Sequence, residues 1–225
     1  MAREFTRNMF IMLVSITVGI VVITYFAADI MRQTQIDTLN IEHKTAIQTI
    51  TNTNENFTDH FFQGITKMDS AREIREVGNY HFDFALFWYT NTRTNITESY
   101  IQNCINNCTD AMTSYLAAYK NFNLSKPFFE KARAYTNQSK YLEVLGYYAM
   151  FAESGKQITL LRYNASQYLK QAVENLSKGE MGNVSLLMGL FNETEAAYSG
   201  AVGGYDGYRG QIDEYWFFDT IREPH

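Results

Sequence analysis

Cysteines are scarce in this chain, so their spacing is informative. Its two cysteines, Cys104 and Cys108, stand four residues apart in NCINNCTD (103–110), and Met112 follows after another four. On a helix these positions occupy consecutive turns of one face. Three sulfur donors so arranged suit Cu(I). Other chemistries compete. Buried free thiols behave as small apolar side chains. An oxidising compartment favours a Cys104–Cys108 disulfide, because ideal i,i+4 Cα atoms ~6 Å apart fall in the upper part of the disulfide range. Either thiol can instead pair with another chain. The same stretch holds Asn107-Cys108-Thr109, an N-glycosylation acceptor triplet.

The Cys-x3-Cys spacing resembles that of copper-delivery and binuclear copper proteins. Those families add histidine ligands from particular loops. Here Met112 follows, and after it no histidine occurs until His225. The function is therefore not carried over, and no cofactor is assigned. His81 and Asp83 flank Phe82, a weak metal signal alone. His43 and Asn54 fall within an apolar helix stripe, where a polar residue more often sets register. No HExxH, phosphate loop, nucleophile elbow or dinucleotide glycine pattern occurs. No catalytic residue is assigned, and the chain is expected not to be an enzyme.

What positions these residues is read from charge and periodicity. The chain has 225 residues, 15% of them aromatic, with only 19% charged and two prolines. That composition supports a core and long helices. A net charge of −5 leaves no basic footprint, so nucleic acid is not an expected partner. From Asn8 to Ala28 there is no charged residue, whereas Arg3 and Arg7 precede and Asp29 follows. About 20 helical residues cross a bilayer, so 9–28 is expected to be a transmembrane helix retained as a signal-anchor. Residues 1–8 form a cytoplasmic tail and 29–225 an extracytoplasmic domain. The apolar run exceeds a signal-peptide core, and Tyr25 or Phe26 would sit badly before a cleavage site. Ser15 and Gly19 have the small-xxx-small spacing of paired membrane helices.

Nine acceptor triplets begin at Asn56, Asn95, Asn107, Asn123, Asn137, Asn164, Asn175, Asn183 and Asn192, all after that segment. Chance placement gives roughly two to three. The excess points to a glycoprotein domain outside the cell or in a lumen.

Beyond the membrane, Ile36, Leu39, His43, Ile47, Ile50, Asn54, Phe57, Phe61, Ile65 and Met68 recur at steps of three or four. This 36–68 stripe predicts a stalk-like helix continuing from the membrane, buried against a partner helix in this chain or a second copy. Further helices are expected over 80–90, from 96 to about 119, 127–135, 140–153, 158–176 and 184–198. Breaks are expected at NTRTN (91–95), at Ser154-Gly155 and near Gly179. The stripe of the 96–119 helix reads Ile101, Cys104, Ile105, Cys108, Met112, Tyr115 and Tyr119. SGAVGGYDGYRG (199–210) reads as a glycine loop, and a short terminal helix should carry Tyr215–Phe218.

The fold class is thus all-α: an N-terminal transmembrane helix, a stalk, and an extracytoplasmic bundle of antiparallel helix pairs. The expected function is a non-catalytic structural or accessory subunit of a membrane complex or cell envelope. Its partners would be the lipid bilayer and a protein, or itself, through 36–68. The alternative is a ligand-binding sensory ectodomain acting through a partner, since a membrane helix entering a helical bundle resembles chemoreceptor-type ectodomains in outline. An extracytoplasmic metal-binding protein or enzyme is the third reading.

Overall fold

The computed structural model describes the backbone of residues 2–94 and 96–215, and within these the side chains from residue 31 onward. Among the described residues every element is helical: α1 Ala2–Thr94, α2 Glu98–Arg133, α3 Ser139–Ser177 and α4 Met181–Asp213. The chain divides into two compact units, 1–52 and 53–225. Among the described residues no helix is long and apolar enough to cross a membrane. The expected spanning segment 9–28, with Ser15 and Gly19, has side chains outside the described residues.

The second unit is an up-down-up-down bundle formed by the 53–94 part of α1 with α2, α3 and α4, as short connections favour. Contact pairs run in opposite sequence directions at each interface. For α1 with α2, Gly64 meets Phe129 and Gly78 meets Tyr115. For α2 with α3, Gly155 meets Phe122, and Phe129 stacks on Tyr148. For α3 with α4, Arg162 pairs with Glu195 and Phe151 stacks on Tyr205. For α1 with α4, Phe82 stacks on Phe191.

The packing code is a seven-residue repeat. Buried positions of α2 are Cys104, Cys108, Ala111, Tyr115, Ala118, Phe122, Ser125, Phe129 and Ala132, at alternating steps of four and three. Such a 3.5 period keeps one seam facing its neighbours over many turns. Tyr115, Phe122 and Phe129 are rings seven residues apart, separated by small residues. Each ring occupies the space that a Cβ would need on a neighbouring glycine: Gly78, Gly155 and Gly64 respectively. A Cβ on Gly155 would lie 2.5 Å from the Phe122 ring.

This code overturns several expected breaks. Gly155 does not end a helix but is a docking notch inside α3. Pro127 lies within α2, which runs on to Arg133; the hydrogen bond it cannot donate is offset by a seam buried on both sides of it. The run 91–94 stays helical, with Asn91 Nδ2 and Thr92 Oγ1 donating to the carbonyls of Phe87 and Trp88, each four residues back. The 199–210 glycine run is helical within α4. The α2 start is capped by Thr97, whose hydroxyl accepts from the Tyr100 amide. The stop near Gly179 is present. Gly179 has φ +76°, its amide donates to Leu176 O, and the Glu180 amide donates to Asn175 O, a Schellman cap. The terminal aromatic helix lies outside the described residues beyond Tyr215, whose ring is 6.2 Å from that of Tyr147.

Candidate functional site

The sulfur constellation resolves into a pair. Cys104 and Cys108 are both buried as free thiols. The Cys104 thiol donates to Ala85 O at 3.2 Å. Hydrogen bonding with Cys104, then burial, raise the Cys108 thiol well above its ordinary value, so Cys108 is held as a neutral core group. Met112 is only half-buried, and Ala111 takes the seam position instead. The seam likewise takes Ala118 rather than Tyr119. Among the described residues no group of three or more His, Cys, Asp or Glu could hold a metal ion. His81 Nδ1 faces Asn107 Oδ1 at 3.5 Å, and the ring of His60 stacks on Tyr135.

Of the acceptor asparagines, Asn56, Asn123, Asn137, Asn183 and Asn192 are exposed, while Asn107, Asn164 and Asn175 are half-buried; Asn95 lies outside the described residues. Asn137 sits in the irregular α2–α3 connection, the surroundings that suit an acceptor triplet. The Nδ2 atoms of Asn107 and Asn175 instead donate to the carbonyls of Asn103 and Gln171.

Periodicity did not reveal the polar groups inside the bundle. Arg162 occupies a seam position of α3, in phase with Gly155 and Leu169. Its Nη1 pairs with Glu195 Oε2 at 2.7 Å. Its guanidinium lies 3.8 Å from the Tyr198 ring centroid and 4.6 Å from that of Phe82. This geometry combines a charge-assisted hydrogen bond with cation–π contact. Burial raises the Glu195 carboxyl above its ordinary value against the lowering effect of Arg162, and the charge of Asp83 adds to the rise. Tyr115 donates to Asn79 Oδ1 at 2.9 Å, bracing the adjoining turn of α1.

A second guanidinium lies beside a cleft. Arg75 lies 4.7 Å from the Tyr205 ring centroid and pairs with Glu76 at 2.9 Å. Its side chain is 13% exposed. Beside it, between α1 and α4, is a cleft of about 410 Å³. Arg72, Arg75, Arg209 and Tyr205 line it, and the carboxylates of Asp69, Glu73, Glu76 and Asp206 surround them. Tyr205 is 3% exposed, and its hydroxyl has no hydrogen-bond partner among the described residues; nor has Arg75 Nε. Leaving such a donor unmet costs about 1–3 kcal/mol, so a partner from outside the chain would be stabilising. Burial raises the Tyr205 hydroxyl above its ordinary value, although Arg75, Arg72 and Arg209 oppose this; it remains a donor at neutral pH. Burial alone would raise Glu76, but hydrogen bonds from Arg75 and Asn79 hold its carboxyl below the ordinary value.

The cleft residues were visible in sequence as Asp69, Arg72, Glu73, Arg75 and Glu76, at helical spacing. Their α4 partners were hidden in YDGYRG, which glycine content marks as loop. In the first unit, Ile36, Ile47 and Ile50 are 46%, 51% and 61% exposed. In the second, the same stripe from Phe61 to Met68 is buried in the bundle. No protein-family model matches the chain, and neither the curated proteins nor the solved structures contain a match.

Proposed function

We propose that this chain is a single-pass, membrane-anchored glycoprotein whose helical bundle lies outside the cell or in a lumen, and that it serves as a non-catalytic accessory or structural subunit. The observation that carries this reading is the exposed apolar seam Ile36, Ile47 and Ile50. It keeps the heptad phase of a stripe that, from Phe61 onward, is used inside the bundle. The self-association surface is therefore 36–50 rather than 36–68. A parallel second copy matches it position for position, with His43 setting register. The charge-free run Asn8–Ala28 supports the anchor, and the nine acceptor triplets beyond it support the orientation.

Two measurements test this. In native membranes the protein should resist alkaline extraction and lose mass on deglycosylation. Ile47→Cys should form an intermolecular disulfide, a clean reporter because Cys104 and Cys108 are buried. Release at alkaline pH, or unmodified asparagine at every triplet in a glycosylating host, would sink the anchor and its orientation. Absence of the cross-link in the Ile47→Cys variant would sink the seam.

One observation favours a second reading, a ligand-binding ectodomain acting through a partner. The α1–α4 cleft is lined by both signs of charge and by Tyr205, whose buried hydroxyl has no partner among the described residues.

A further inference from the structure

We propose that the α1–α4 cleft binds a small zwitterion of the free α-amino-acid class. Arg209 and the Tyr205 hydroxyl would receive its carboxylate, and Glu73 and Asp206 its ammonium group. The inference deepens the ligand-binding reading and rests on it; the membrane anchor is not needed.

Charge selects the ligand class. Three guanidinium groups and four carboxylates share the cleft. A simple anion of this size meets the carboxylates, and a simple cation meets the guanidinium groups. A molecule carrying both charges a few bonds apart satisfies both sets. The available groups can be told from the committed ones. Arg75 is engaged by Glu76 and stacked on Tyr205, and Arg72 is paired with Asp69 at 3.4 Å, so both are committed. Arg209 has only a loose contact to Asp213, 3.9 Å away on its own helix. Glu73 and Asp206 form no ion pair among the described residues. Tyr205 lines the cleft, and its buried hydroxyl is a donor with no partner among those residues. A volume of about 410 Å³ accommodates an amino acid with some water; ligand pockets start at roughly 300 Å³. The polar lining favours small or polar side chains over large apolar ones.

The test uses the full chain in detergent, with glycine, L-alanine and L-glutamine as probes, acetate and ethylamine as single-charge controls, and ribose as a neutral one. Thermal unfolding and calorimetric titration should show that the amino acids bind and raise the Tm, whereas the controls do not. Tyr205→Phe keeps the ring on Arg75 and removes only the hydroxyl, so it should weaken binding about tenfold. Arg209→Gln should weaken it at least as much, and Lys140→Gln, outside the cleft, should change nothing. Binding of acetate, ethylamine or ribose alone, lost in Tyr205→Phe, would keep the ligand-binding reading and overturn the zwitterion. No response to any probe would overturn both. Amino-acid binding indifferent to Tyr205→Phe and Arg209→Gln would overturn this site.

Discussion

Gly155 and Gly203 both sit inside helices, and a methyl group added to each should act in opposite directions. At Gly155 the new Cβ meets the Phe122 ring, itself held edge-on to Tyr205. Overpacking of about 1–3 kcal/mol outweighs the ~1 kcal/mol helix-propensity gain, so Gly155→Ala should lower the Tm. At Gly203 nothing lies within 4 Å of a Cβ. Gly203→Ala should stabilise by about 0.5–1 kcal/mol, read as a higher denaturation midpoint. Glu195 supplies a pH signature. Its carboxyl is raised in the folded state, chiefly by burial, so the native protein binds its proton more readily than the unfolded chain. Between the unfolded carboxyl value and that raised value, stability from this group falls as pH rises and returns on acidification. Urea titrations at pH 7 and pH 5 should show wild type gaining stability relative to Glu195→Gln on the acid side; parallel behaviour would contradict the assignment. At this scale the inward phase of Cys104 and Cys108 was legible. Arg162 and Tyr205 were not, because a charged or glycine-flanked residue leaves no apolar period.

Among the elements, α4 contrasts with α2. Nine residues of α2 are buried, rings alternating with small side chains; α4 buries only Val184, Phe191, Tyr205 and Ile212. Its glycines at 200, 203, 204, 207 and 210 have open space beside them, and glycine weakens a helix interior. Amide hydrogen exchange should therefore be faster in α4 than in α2, because local opening follows the buried apolar contacts each element forfeits. Equal protection would show that the Arg162–Glu195 and Arg75–Tyr205 contacts hold α4 as firmly as apolar packing holds α2. The same contrast explains the misplaced boundaries. Gly155, Pro127 and the 199–210 run are local punctuation marks, and tertiary packing overrode each: a ring filled the glycine notch, a continuous seam carried α2 through proline, and α3 and α1 supplied the partners for α4.

For the whole molecule, the division at Asn52/Thr53 sets the next expectation. The core clusters lie entirely within 53–225, so a 53–225 fragment should fold alone and unfold cooperatively, as circular dichroism against temperature would show. A broad, non-cooperative melt would mean that residues before Thr53 complete the core. Composition and periodicity by themselves determined the all-helical class, the inward cysteine pair, the Gly179 stop and the buried stripe from Phe61 to Met68. Each of these is local, set by backbone conformation or by the 3.5–3.6 period along one segment. Only the tertiary structure decided where helices continue through glycine and proline, which part of the seam is already occupied, and that Arg72 and Arg75 on α1 meet Tyr205 and Arg209 on α4. Those outcomes depend on which faces lie opposite one another across the bundle, and no spacing within a single segment carries that information.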